Sequence, residues 1–208
     1  MTDPNAPRHF RLRTRFVEQG RLAWLSHLEV AHALERAVRR AGLPFAVSQG
    51  FSPHMKIAFG AALPVGVGST CEIFDVQLTR YVRPNDALEA LQAASVDDLM
   101  VQECAYIEPK APAASVAFPF STYEVRFSAP LTSIQVPETV SVVRKRKEKV
   151  LSVSDFLVGD IALDGDVARF TLEAKPTGSL RPDVLLQHCQ IEADIVSITR
   201  IRQEASHG

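Results

Sequence analysis

Residues 10–42 read FRLRTRFVEQGRLAWLSHLEVAHALERAVRRAG, and this stretch decides the fold. In residues 10–17 uncharged side chains alternate with arginines, which predicts a strand with one polar face. Ser26 and Glu29 have the spacing of a capping box, and the apolar residues after them recur at helical intervals. Gly42 and Pro44 are expected to end that helix. The chain therefore begins with a strand followed by an amphipathic helix.

The first half continues with the elements that complete a known supersecondary unit. They are predicted at residues 45–59 (a strand interrupted by a loop), 72–78 (a strand), 84–94 (a helix) and 99–107 (a strand). The resulting order, βαββαβ, is that of the ferredoxin-like fold.

The second half repeats part of this order. Strands are predicted at residues 123–128, 167–174 and 195–202, and a short helix at 182–189. Arg83-Pro84 and Arg181-Pro182 both open the later helix, which indicates a degenerate duplication. Residues 129–160 contain no comparable amphipathic helix, so the first helix of this half is missing or replaced by a hairpin.

These patterns predict an α+β protein with tandem ferredoxin-like halves and antiparallel sheets, the second half degenerate. We expect the first half at residues 8–108, a proline-containing linker at 109–120 and the second half at 121–204.

Composition limits the classes of function. The 208 residues are 46% hydrophobic and carry a formal net charge of -1. This balance is typical of globular proteins and gives no global attraction to DNA, RNA or an anionic membrane. No apolar run is long enough to span a bilayer and the N-terminus shows no signal peptide, so we expect a cytoplasmic protein.

The cysteines do not have the spacing of a metal site. Cys71, Cys104 and Cys189 are far apart, and none has a partner at the spacing of a zinc or iron–sulfur motif. We therefore expect small buried side chains in a reducing compartment, and no metal or cofactor bound by this chain.

The arginines of the first strand form one candidate site. Arg11, Arg13 and Arg15 would project from the sheet face that the two helices leave open, where guanidinium groups suit phosphates or carboxylates. The alternative is structural pairing with Asp75, which the pattern places on the same face of a neighbouring strand.

Residues 48–56 form the second candidate, because Gln49, His54 and Lys56 surround Phe51 in a segment punctuated by glycine and proline. This mixture suits a base or an anionic group. In the alternative interpretation the segment is a β-bulge connection, with Phe51 in the core and His54 capping a turn. His27, in the first helical turn, either joins the site or is a polar surface residue. We expect the first strand and this loop to converge on one anionic ligand.

A secondary basic patch is predicted from the densest run of charge. Its members are Arg144, Lys145, Arg146, Lys147 and Lys149. They suit a phosphate backbone, and the alternative is the solvated face of a hairpin. No paired carboxylates, Ser/His/Asp order or phosphate-binding glycine loop stands out, so no catalytic residue is assigned.

Three stretches carry a family resemblance. Residues 20–60 (GRLAWLSHLEVAHALERAVRRAGLPFAVSQGFSPHMKIAFG), 63–78 (LPVGVGSTCEIFDVQL) and 178–186 (GSLRPDVLL) resemble the bacterial radical-SAM-linked protein family. That family is a domain of unknown function encoded beside, or fused to, cobalamin-binding radical-SAM proteins. The chain departs from its pattern at Met55, where a proline is expected between His54 and Lys56.

The resemblance implies a partner. The iron–sulfur cluster, S-adenosylmethionine and cobalamin would all belong to a radical-SAM protein, since this chain has no three-cysteine cluster motif. We therefore expect a non-catalytic accessory protein that recognises a substrate, with RNA suggested by analogy to other tandem ferredoxin-like proteins. One alternative is a stand-alone enzyme with His54 as acid/base on an anionic or nucleotide-like substrate. Another is a pure protein–protein adaptor.

Overall fold

The computed structural model describes residues 10–144 and 147–205, and the side chains of residues 143–147 lie outside this description. The chain divides into two compact units. Of the described residues, one unit contains 10–65 and 71–117, and the other contains 66–70, 118–144 and 147–205. The described residues form four α-helices and a large, mostly antiparallel sheet, so the fold is α+β.

The first unit has the element order strand, helix, strand, strand, helix, strand. Its elements are β1 (Phe10–Glu18), α1 (His27–Arg40), β2 (Ile57–Phe59), β3 (Val67–Leu78), α2 (Pro84–Ala94), β4 (Val101–Ile107) and a short α3 (Ala114–Ala117). Single 3-10 turns lie at Gly20–Trp24 and Asp97–Leu99. The strand order is β4-β1-β3-β2, and β1 with β4 and β2 with β3 pair antiparallel.

The beginning of α1 confirms the predicted capping box. The Glu29 amide donates to Ser26 Oγ at 3.4 Å, and the Ser26 amide donates to Glu29 Oε2 at 2.8 Å. These bonds satisfy amides that have no partner within the helix. Gly42 has φ +66°, a backbone conformation in which a side chain would be strained, and it follows the end of the helix.

The core of the first unit lies between the two long helices and one face of the sheet. It contains Leu12, Leu34, Val38, Phe74, Leu91 and Val101, each almost completely buried. Because strand side chains alternate, the arginines between the buried residues of β1 lie on the opposite face.

The second unit contains β5 (Phe120–Phe127), β6 (Thr139–Arg144), β7 (Lys147–Ser152), β8 (Leu157–Asp164), β9 (Val167–Glu173), α4 (Pro182–His188) and β10 (Ile195–Glu204). A 3-10 turn lies at Val153–Asp155. The sheet order is β10-β5-β9-β8, and these neighbours pair antiparallel. Residues 67–69 of β3 pair in parallel with β10.

The strand orders of the two units correspond. Numbering only the sheet strands of each unit in chain order, both units have the order fourth, first, third, second. Between the first and second of these strands the first unit has α1, whereas the second unit has the two-stranded hairpin β6–β7. The hairpin thus occupies the place where no amphipathic helix was found in the sequence.

Several predicted boundaries differ from the structure. Residues 45–48 make only the isolated bridges Phe45 to Leu78 and Val47 to Met55, because the chain reverses in the loop that follows. β3 begins at Val67 instead of residue 72, since its first residues gain a partner in β10. β8 was not predicted from the sequence, because it is partly exposed and Gly159 and Asp160 interrupt its pattern.

The longest described helix, α1, has 14 residues. None of the helices in the described part of the chain combines the length and the apolar character needed to cross a membrane.

Candidate functional site

Two arginines of β1 converge on one buried carboxylate. Arg11 Nη2 lies 2.7 Å from Asp75 Oδ2, and Arg13 donates from Nε to Oδ1 at 2.7 Å and from Nη2 to Oδ2 at 3.0 Å. Only 2% of the Asp75 side chain is exposed, against 13% for Arg11 and 14% for Arg13. The pairing proposed as the structural alternative is therefore present for these two arginines.

The same two guanidinium groups also donate hydrogen bonds to backbone carbonyls. Arg11 donates to the carbonyls of Ala111 and Pro112, and Arg13 donates to the Pro112 carbonyl at 3.1 Å. Close by in the chain, α3 contacts β2, and Ala114 is buried. Residues 111–112, predicted as part of a linker, thus lie over the arginine face of the first unit's sheet. Binding of an external anion by Arg11 and Arg13 stays a prediction, and such an anion would compete with these acceptors.

Arg15 is the most exposed arginine of the three. Its side chain is 34% exposed, and its Nε lies 3.5 Å from Oε2 of Glu103 on β4. An exposed pair at this distance contributes little to stability.

The loop of residues 48–54, here called the Phe51 loop, is closed by hydrogen bonds at its base. The Ser48 amide donates to the His54 carbonyl at 2.8 Å, and the His54 amide donates to Ser48 Oγ at 3.0 Å. Gly50 has φ +136°, a conformation available to glycine. Phe51 is fully exposed at the tip, so the interpretation that placed it in the core is wrong.

The polar residues predicted as ligand-binding in this segment differ in solvent exposure. Gln49 and His54 are exposed, and Lys56 is half-buried beside β2. The His54 ring Nε2 lies 3.4 Å from Ser52 Oγ, so the described side-chain contact of His54 is within its own loop. The described contacts of Arg11 and Arg13 lie instead at Asp75 and residues 111–112.

His27 joins the start of α1 to β2. Its ring lies edge-to-face against Phe59, with a centroid distance of 5.5 Å. Trp24, just before α1, and Leu28, in its first turn, are both exposed. β2 follows the Phe51 loop closely in the chain.

A groove in the second unit contains residues that sequence reasoning did not assign to a site. It lies between the β6–β7 hairpin and α4 and has a volume of about 570 Å³. Its polar lining includes Ser141, Lys149, Ser179, Arg181, Gln187 and His188. Lys149 belongs to the predicted basic patch, whereas Lys145 and Arg146 and the side chains of Arg144 and Lys147 lie outside the described residues. The repeated Arg-Pro start of α4 was the available signal for Arg181.

The thiols are shielded from water to different degrees. Cys71 and Cys104 are buried, and Cys189 is half-buried. Burial raises the pKa of Cys104 and raises that of Cys189 to about 11. These two thiols are therefore protonated and weakly nucleophilic near neutral pH. The described residues contain no group of three or more His, Cys, Asp and Glu side chains placed to hold a metal ion.

Residues 11–180 match the model of one protein family, DUF2344, described as an uncharacterized protein conserved in bacteria. Comparison with curated proteins gives no match. The family match covers most of both units, includes the Phe51 loop and the β6–β7 hairpin, and ends just before α4.

Proposed function

The chain belongs to DUF2344, a family of proteins conserved in bacteria, and we propose that it is a non-catalytic accessory protein that recognises a substrate for a radical-SAM partner. In this proposal the first unit docks on the partner through the Phe51 loop. The partner supplies the iron–sulfur cluster, S-adenosylmethionine and cobalamin, as the sequence resemblance implies.

The proposal includes a tandem ferredoxin-like architecture with a degenerate second unit. Two observations support it. Both units have the strand order fourth, first, third, second, which the βαββαβ connection produces. Both also begin the later helix with an arginine at the N-cap and a proline at the first helical position, at Arg83-Pro84 and Arg181-Pro182. In the second unit the hairpin replaces the first helix.

Phe51 is the observation that carries the proposed docking. Its ring is fully exposed although burial of a phenylalanine side chain contributes about 1.5–3 kcal/mol. The bonds between Ser48 and His54 hold the base of the loop, which reduces the conformational entropy lost when the tip is covered. A held, exposed aromatic side chain is typical of the anchors of protein–protein interfaces.

Other exposed apolar side chains of the first unit also favour a protein as the occupant. Val47 lies at the foot of the loop, and Trp24 and Leu28 lie just before α1 and in its first turn. Apolar side chains of this kind suit the apolar surface of another protein better than the phosphates of a nucleic acid. RNA therefore enters the proposal as the substrate presented to the partner and not as the ligand of this surface.

The test first establishes whether the genome encodes a cobalamin-type radical-SAM protein beside this chain, and then measures binding of the purified chain to that protein. We expect Phe51→Ser to weaken binding about thirtyfold, because interface anchors contribute about 2 kcal/mol or more. Val116→Ser is the matched control, since Val116 is 70% exposed in the same unit but lies in α3. It should bind within twofold of the parent.

Both variants should unfold at the same denaturant concentration as the parent, because neither side chain is buried. The docking proposal is wrong if the unaltered proteins do not bind, or if Phe51→Ser and Val116→Ser bind equally well. Turnover of a substrate by the chain alone, lost in His54→Ala, would instead favour the stand-alone enzyme.

A further inference from the structure

The groove of the second unit lies where the hairpin has replaced a helix. Its volume of about 570 Å³ is within the range of small-molecule sites, which is roughly 300–1,000 Å³. One wall is the β6–β7 hairpin, the other is α4, and residues 177–179 close one side.

The strand register places Lys149 on the groove side of the hairpin. Val140 pairs with Leu151, both are buried, and Val142 pairs with Lys149. Since side chains alternate along a strand, these two pairs share one face of the hairpin. The ammonium group of Lys149 therefore stands beside an aliphatic surface, and Lys149 itself is exposed.

The polar groups of the groove are mainly hydrogen-bond donors. Lys149 and Arg181 are cationic, Thr177 and Ser179 carry hydroxyls, and none of the described lining residues is Asp or Glu. His188 Nδ1 lies 2.9 Å from the Val184 carbonyl. Because a carbonyl only accepts, Nδ1 is the donor, and Nε2 is not used in this bond.

Arg181 already has an anionic partner of its own. The guanidinium holds the Asp183 carboxylate in two bonds, from Nε to Oδ1 at 3.0 Å and from Nη2 to Oδ2 at 2.5 Å, and Asp183 is not among the lining residues. A guanidinium has five N–H donors, and this pair uses two of them. The arginine side chain is 56% exposed, so a phosphate entering the groove can share the guanidinium with the carboxylate.

We infer that this groove binds a nucleotide unit through its phosphate, either as a free nucleotide or as part of a single-stranded RNA. The phosphate takes the donors of Lys149, Arg181 and the hydroxyls, which are the groups that commonly hold phosphates in proteins. The sugar and base lie against the aliphatic surface of Val142, Leu151 and Val184. This site does not depend on the docking of the Phe51 loop; if both hold, the groove holds the substrate that the protein presents.

The experiment titrates the full chain, without any partner, with AMP and with a fluorescein-labelled uridine hexanucleotide at physiological ionic strength. We expect both to bind, and Arg181→Gln and Lys149→Gln each to weaken binding about tenfold, with a reduced dependence on salt. Arg126→Gln is the matched control, because Arg126 belongs to the same unit, is 51% exposed and pairs with Asp166 outside the groove. It should bind within twofold of the parent.

The relative affinities identify the source of the phosphate. Tighter binding of the hexanucleotide favours an RNA strand, and equal or tighter binding of AMP favours a free nucleotide. The inference is wrong if neither probe binds at millimolar concentration, or if Lys149→Gln and Arg181→Gln bind like the parent. It is also wrong if Arg126→Gln loses as much affinity as they do. Since no partner is present, this result is separate from that of the docking test.

Discussion

The starts of α2 and α4 have the same sequence signal but different surroundings. In each, an arginine at the N-cap precedes a proline and pairs with an aspartate, Arg83 with Asp86 and Arg181 with Asp183. The groove at the start of α2, of about 460 Å³, is lined by Asp86 and Glu89, whereas the groove beside α4 has no carboxylate among its described lining residues. A local motif thus fixes where a helix begins, and the neighbouring elements decide what can bind there.

The strands of the two units also differ in how they hold their charges. In the first unit Asp75 is buried beneath two arginines, whereas in the second unit Glu124 pairs with Arg169 at 2.7 Å on a face where the arginine is 50% exposed. The shortest nitrogen–oxygen distance is 2.7 Å in both, so the two clusters differ in burial and in the number of arginines.

The largest expected effect tests this contrast. Asp75→Asn should lower the free energy of unfolding by about 3 kcal/mol, because it removes the buried carboxylate that two mostly buried arginines share. Glu124→Gln removes one charge from the exposed pair and should cost less than about 1 kcal/mol. Urea unfolding of both variants provides the measurement. Equal losses would mean that neither burial nor the second arginine strengthens the Asp75 cluster.

Two glycine turns provide the next comparison. Gly20 and Gly165 have φ of +56° and +61°, but a Cβ on Gly20 would lie 2.4 Å from Asp98 Oδ2, whereas one on Gly165 meets nothing within 4 Å. Gly165→Ala should therefore cost about 1 kcal/mol from backbone strain alone. Gly20→Ala should cost about 2 kcal/mol, because the Asp98 carboxylate must also move.

The double variant Gly20→Ala, Asp98→Ala separates the two causes. We expect the loss of unfolding free energy between Asp98→Ala and the double variant to equal the loss caused by Gly165→Ala. Thermal or urea unfolding provides the measurement. If Gly20→Ala lowers the unfolding free energy equally with and without Asp98, its whole effect comes from backbone strain.

The smallest of these three effects concerns α1, which lies between the first two sheet strands of the first unit. Ser26→Ala should cost about 1 kcal/mol, since it removes the N-cap oxygen. Hydrogen bonds from Ser26 lower the pKa of Glu29 below its ordinary value of 4.5. Because the folded pKa is the lower one, the contribution of the charged Glu29 is present above pH 4.5 and is lost as the pH falls through the folded pKa.

The difference in unfolding midpoint between parent and Ser26→Ala should therefore shrink as the pH is lowered from 7 to 3. Ser154→Ala is a suitable control, because Ser154 is exposed and its hydroxyl contacts only Ser152 among the bonds described for it. A constant difference across this range would show that the hydrogen bond from the Ser26 hydroxyl to the charged Glu29 carboxylate, 2.7 Å long, does not contribute.

Sequence patterns were most informative where local interactions decide the structure. The capping box at Ser26, the helix that begins at Pro84 and the alternation in β1 all follow from neighbours within a few residues, and each prediction was confirmed. Prediction failed where pairing comes from distant segments. The early start of β3 depends on β10, and the partly exposed β8 has no clear alternation of its own.

For the candidate site on β1 the sequence predicted which residues share a face, but not which other segments cover them. Alternation placed Arg11, Arg13 and Asp75 on one face, and all three meet there. The sequence gives no sign that residues 111–112 would cover the same arginines, or that Phe51 would be left in solvent. Whether the Phe51 ring is buried or exposed depends on where the base of its loop is held, and the sequence alone does not specify that position.

The sequence by itself determined the α+β class, the helix boundaries of α1 and α2 and the polar character of one face of β1. The tertiary structure decided that Arg11 and Arg13 are held by Asp75 and by carbonyls about 100 residues away, that Phe51 stands exposed, and that a groove opens between the hairpin and α4. The physical reason is the range of the interactions. Capping and alternation involve residues close in the chain, whereas burial and grooves arise only when distant segments pack against one another.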